Sequence, residues 1–170
     1  MKIVERHNVA PRAVTEITCA AAPATFRVLI HHRPTTSLEA KFSLEYLLAA
    51  GLTLKTINEE CFELKHVSDP VIRDLVAKVR IVDSPAQRET PGEGPVSLQV
   101  RTQTAVYEET VSYAPGHPKN PLSWDRLAAK YRACARQGGF NETIVAGALQ
   151  TLSHIDEIAD VRELTRLFAA

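Results

Sequence analysis

The sequence predicts an α+β fold: a small antiparallel sheet of about four strands packed with helices, in the order β-α-α-α-β-β-β-α-α-α after a short leading helix. Three observations carry this. Val14-Thr15-Glu16-Ile17-Thr18-Cys19 alternates like a half-buried strand. VSLQVRTQTAVYEETVSYAPG alternates long enough for two further strands. The stretches around them carry capped helical patterns, and strand, helices, strand, hairpin, helices is the order of an α+β domain. At 170 residues the chain suits one domain with a substantial core, residues 1–170, and is short for two.

Taken in order, Ile3, Val4 and His7 form the last turns of a helix, with Asn8 able to take the left-handed cap conformation. Pro11 restarts the chain before the first strand, and the connection through Pro23 and Phe26 to His31-His32-Arg33-Pro34 is irregular. PTTSLEAKFSLEYLLAAG, residues 34–51, predicts one helix. Thr36 and Glu39 form its capping box, Gly51 its stop, and Leu38, Phe42, Tyr46 and Ala49 its inward face. Lys41 and Glu45 lie one turn apart and can pair, while Ser43 falls on another flank. A short helix around Thr56 to Cys61 follows. Asp69-Pro70 then marks a strong helix start, with Val71, Ile72, Leu75, Val76 and Val79 as its buried side.

Arg80-Ile81-Val82-Asp83 is a strand, and residues 84–95 form a turn-rich loop. The hairpin turn falls near Gln103-Thr104, although neither residue is a strong turn former. Ser123 caps a helix with Trp124, Leu127, Tyr131 and Cys134 inward, ended by Gly138-Gly139. Asn141 opens another with Val145, Ala148, Leu149 and Leu152, and Asp160 with Glu163 opens a last short one.

The totals exclude several classes. Formal net charge is zero, so no global field gathers nucleic acid or acidic membrane. No apolar run is long enough to span a bilayer, and MKIVERHNVAPR lacks the apolar centre of a signal peptide. Cys19, Cys61 and Cys134 are odd in number and widely spaced, which suits buried thiols in a reducing cytosol. The six histidines include no HxxxH or HExxH, and no CxxC occurs, so no metal site is expected. GxSxG, P-loop and GxGxxG fingerprints are absent. Glu108 and Glu109 are strand neighbours facing opposite sides, hence not a catalytic carboxylate pair. GHPKNPLS, residues 116–123, has its backbone fixed by prolines and glycine, leaving His117, Lys119 and Asn120 available. It is either a rigid connector or an anion-facing or interface loop.

PTTSLEAKFSLEYLLAAGL, DPVIRDLVAKV and PGHPKNPLSWDRLAAKYRACA, in this order and spacing, resemble the C-terminal half of MmgE/PrpD enzymes. That family includes 2-methylcitrate dehydratases, cis-aconitate decarboxylases and iminodisuccinate epimerases. Ala40, Lys41, Phe42, Ser43 and Tyr46 match one family pattern; Gly116, Pro118, Asn120 and Pro121 match another. The resemblance runs from about residue 3 to residue 168.

It implies a lid domain that closes over a cleft in a large all-helical N-terminal domain. No metal, iron–sulfur cluster or other cofactor is implied. The chemistry is proton abstraction beside a carboxylate of a small di- or tricarboxylate, with dehydration, decarboxylation or epimerisation. Tyr46 is the catalytic residue carried over; Lys41 and Ser43 are supporting positions, and His117 and Lys119 are weaker substrate-binding candidates. Glu45 stands where many members have proline or glutamine, an awkward neighbour for an anionic substrate. The family's lysine-x-tyrosine-proline motif and its histidine precede the helix seen here as MKIVERHN, so the matched segment is expected to be inactive alone. Its partners would be the helical domain, on another chain, or further copies of itself. The alternative is a non-catalytic domain that binds a partner or a small acid.

Overall fold

The computed structural model describes residues 2–84 and 93–168. The chain divides into two compact units, Met1–Ala114 and Pro115–Ala170. The first opens with α1 (Lys2–His7) and is built on β1 (Val14–Ala21). Five helices follow: α2 (Pro23–Val28), α3 (Ser37–Lys41), α4 (Leu44–Leu54), α5 (Leu64–Val67) and α6 (Pro70–Ala77). Then come β2 (Val79–Asp83), β3 (Glu93–Thr102) and β4 (Val106–Tyr113).

The four strands form one sheet in the order β2-β1-β3-β4. The expected antiparallel pairing holds for β1–β3 and β3–β4, whereas β1 and β2 pair in parallel. The sheet is therefore mixed. The intervening helices return the chain to start β2 at the same end as β1, which a long crossover permits and a hairpin does not. A register shift between Val14 and Glu16 lets both Val14 and Ile17 face inward despite their odd spacing. Ile17, Val100, Ile72, Leu75, Ala49 and Leu52 lie at the centre of the core.

The start of α6 follows the sequence closely. Asp69 Oδ1 accepts from the backbone N–H groups of Val71 and Ile72 at 2.7 and 3.2 Å, and Pro70 takes the first helical position. The β3–β4 turn falls at Gln103-Thr104 without glycine, because the Thr102 hydroxyl accepts from the backbone of Thr104 and Ala105 at 3.4 and 3.0 Å. Asn8 adopts φ 45°, the left-handed end to α1.

Other expectations need correction. The connection through Pro23 and Phe26 contains α2, with Pro23 at its first position. The single helix of residues 34–51 is two, α3 and α4, and its stop is Lys55 at φ 60° rather than Gly51. Leu38 and Phe42 are exposed, not inward. The Thr56–Cys61 segment is a 3-10 turn at Glu59–Phe62. Most of the expected loop, residues 85–92, lies outside the described residues.

The second unit contains α7 (Trp124–Gln137), α8 (Glu142–Leu152) and α9 (Arg162–Arg166). Ser123 and Asn141 cap the first two as expected, accepting from the N–H groups of Arg126 and Ile144. Gly139, just past the end of α7, holds φ 83°. The inward face of α7 is not the expected one. Trp124, Leu127 and Cys134 are exposed, while Ala128 and Ala135 pack with Val145 and Leu149, flanked by Tyr131 and Phe140. Small residues two turns apart admit the neighbouring helix closely, and that approach decides the face.

Candidate functional site

The site begins where the expected helix breaks. Phe42 leaves the helical conformation and Ser43 is extended, with its Oγ accepting from the Tyr46 N–H at 3.2 Å. That bond makes Ser43 the N-cap of α4, and a cap requires non-helical backbone. The break thus follows from the serine inside AKFS. It restarts the helix with Glu45 and Tyr46 in its first turn, both turned inward.

Tyr46 is only 1% exposed, and its hydroxyl donates to the Cys61 carbonyl. Cys61 sits in a turn capped by Asn58, whose Oδ1 accepts from the Cys61 N–H at 3.3 Å. Phe62 packs against the Tyr46 ring at 6.2 Å between centroids. Burial first, then the nearby Cys61 and Asp69, push the Tyr46 hydroxyl up to about 12. At neutral pH Tyr46 is a hydrogen-bond donor and not a base.

Beside it lies a cavity of about 240 Å³, lined by Arg33, Pro34, Tyr46, Val67, Arg73, Val76 and Ala77. The segment carrying Arg33 is tied to the break between α3 and α4 by two bonds. The His31 N–H donates to the Phe42 carbonyl at 3.1 Å, and His32 Nδ1 stands 2.7 Å from Glu45 Oε1. The Glu45 side chain is 9% exposed and that of His32 74%. Glu45, the awkward carboxylate of the sequence, is thereby spent on a histidine. A carboxylate partner at Nδ1 fixes the ring's tautomer and orientation. Arg73 projects from α6, one turn past its Asp69 cap.

The remaining candidates fall elsewhere. Lys41 does not pair with Glu45; it pairs with Glu59 at 2.7 Å and lies 5.5 Å over the Phe62 ring. Ser43, fully buried, caps α4 and donates weakly to Glu45 Oε2 at 3.5 Å. His117 and Lys119 stand in the second unit, on a tight turn where His117 Nδ1 accepts from the Lys119 N–H at 3.0 Å and His117 bridges to Asn120. Gly116 begins that turn at φ 94°, a conformation glycine permits. Glu109, on the edge strand β4, pairs with Lys2 and Arg6 of α1 at 3.2 and 2.8 Å.

Among the described residues, no three of His, Cys, Asp or Glu converge as a metal site. Burial lifts the Cys19 thiol to about 11, so it is not a nucleophile at neutral pH. Sequence reasoning missed Arg33 and Arg73. Arg33 lay in a stretch without periodicity, and Arg73 looked like an ordinary polar position opposite Ile72 and Leu75.

Fold and site define a mixed α+β domain whose buried tyrosine borders a cationic, otherwise apolar cavity. The model of the MmgE/PrpD C-terminal domain matches residues 1–146, and the chain belongs to that family as its C-terminal domain. It is similar to cis-aconitate decarboxylase of Mus musculus, 28% identical over 143 residues, which cover 79% of this chain and 28% of the decarboxylase. The chain thus spans well under a third of that relative's length.

Proposed function

We propose that the chain is the lid domain of an MmgE/PrpD-type lyase acting on small di- or tricarboxylates by proton abstraction beside a carboxylate. The observation that carries this is the protonated, internally held Tyr46, in the family motif and beside a cavity edged by two guanidinium groups. A buried phenol of raised pKa suits donation to a substrate carboxylate or to the oxyanion that develops after proton loss. On substrate binding its O–H would exchange the Cys61 carbonyl for that acceptor. Ser43 supports the tyrosine by setting the start of α4, and Lys41 supports the Phe62 side of its ring. His117 and Lys119 are secondary substrate-binding candidates.

The proton-abstracting groups belong, on this reading, to a helical domain that completes the cleft. The test is to assay the 170-residue chain alone and together with a co-expressed MmgE/PrpD helical domain, against a panel including cis-aconitate and 2-methylcitrate. Turnover only in the completed form is expected, with a loss of about tenfold or more in kcat/KM for Tyr46→Phe. Turnover by the chain alone, or full activity of Tyr46→Phe in the completed enzyme, overturns the reading.

A further inference from the structure

We propose that the second unit docks on a second copy of this chain, the basic side of α7 in each copy meeting the acidic stretch of residues 155–163 in the other. Each of these surfaces joins large exposed apolar side chains to charges of one sign. On α7, Trp124 and Leu127 are 46% and 44% exposed, and Arg126 and Lys130 stand one turn apart beside Leu127. The other surface holds the turn Ile155–Glu157 and the start of α9. There Ile155 and Val161 are 53% and 61% exposed, with Asp156, Glu157 and Glu163 beside them. None of these charged side chains has a hydrogen-bonded or ion-paired partner among the described residues. The charges that do pair in this unit are others: Arg136 holds Glu142 at 2.5 Å, and Arg162 holds Asp160 at 2.7 Å.

Taken singly, exposed apolar residues and solvated charges are ordinary surface. Here they form a matched pair on one unit. Asp125 is the one acid of α7, and Arg162 is the one base of residues 155–163. A foreign partner of either sign would engage one surface and leave the other in water. A second copy related by a twofold axis engages both, because an isologous interface sets the basic surface of each copy against the acidic surface of its mate. The apolar side chains supply the burial, and the charges fix orientation and exclude wrong partners. The acidic surface lies beyond residues 1–146, the segment matched to the MmgE/PrpD C-terminal domain. The interface is therefore built in part from sequence outside that segment, and it does not depend on the lyase reading.

Trp124 is the chain's single tryptophan, so its emission reports on this surface. The experiment is sedimentation velocity and tryptophan emission of the 170-residue chain over a concentration series, in about 20 mM and about 500 mM sodium chloride. A monomer–dimer equilibrium is expected, with emission moving to shorter wavelength as the dimer forms. Its dissociation constant should be about tenfold or more higher in the high salt. Two charge-reversed variants then test the pairing: Arg126→Glu with Lys130→Glu, and Asp156→Lys with Glu157→Lys. Each variant alone should associate about tenfold or more weakly than the parent. An equimolar mixture should recover association as a mixed dimer, because both contacts are again of opposite sign. All four positions are exposed, and parental circular dichroism checks that the variants fold. If a reversal disturbs folding, Arg126→Gln with Lys130→Gln should give the weakening without repulsion. A chain that stays monomeric in low salt overturns the proposal and leaves the surface to a different partner. So does association without a tryptophan shift, which places the contact on another face. Association indifferent to salt, or folded variants whose mixture associates no better than either alone, overturns it as well.

Discussion

Tyr46 is the largest of the fully buried side chains, and its role turns on one bond. Tyr46→Phe leaves the ring in place but strips the Cys61 carbonyl of its donor. An unsatisfied buried acceptor costs about 1–3 kcal/mol, read as a lower urea midpoint at unchanged slope. The same phenol sets a pH dependence. Its folded pKa is raised, so its contribution is fully present below the unfolded value near 10.0 and is lost as pH climbs through about 12. Tyr46→Phe should therefore show a smaller fall in urea midpoint between pH 10 and pH 12 than the parent chain. His32 and Glu45 give an asymmetric pair. Removing the exposed ring by His32→Ala strands a nearly buried carboxylate, whereas Glu45→Gln leaves an exposed imidazole that water can satisfy. His32→Ala is expected to cost about 1–3 kcal/mol and Glu45→Gln less; the reverse order in denaturation would refute this account of the pair.

At the scale of elements, the break between α3 and α4 does the positioning. A continuous helix through residues 36–51 would put Leu38 and Phe42 on the face of Tyr46, and both are exposed instead. Ser43→Ala removes the cap of α4 at a fully buried position, with an expected loss of about 0.5–2 kcal/mol. Because the cap orients Tyr46, the variant should also lower kcat/KM of the completed enzyme of the proposed function; stability loss without any change in kcat/KM would separate the two roles. The capping box at Thr36–Glu39, the Asp69-Pro70 start, and the caps at Ser123 and Asn141 were all legible, since each is a local bond between residues two to three apart. The break was legible only in part. Ser43 is an acceptable helix residue as well as a good cap, and periodicity alone cannot choose between one long helix and two short ones.

For the whole molecule, the two hydrophobic clusters fall on either side of residue 114. One comprises Ile3 through Val100, the other Ala128, Ala135, Val145 and Leu149. With Ala148, five buried residues among those described are a small core, and domains this short are marginal without further support. Residues 1–114 expressed alone should unfold cooperatively in urea, while residues 115–170 alone should show no cooperative transition. A cooperative transition in the shorter piece would show that its core suffices.

What the sequence by itself determined was local or periodic: the α+β class, most helix starts, the strand positions, the hairpin turn, and the motif that carries Tyr46. The tertiary structure decided the rest. The parallel pairing of β2 depends on where a five-helix connection returns the chain. The buried face of α7 depends on which side α8 can approach most closely. The meeting of Arg33 and Arg73 beside Tyr46 joins residues 40 positions apart on two elements whose polar faces look ordinary in the sequence. Charges of that kind acquire meaning only when packing brings them together.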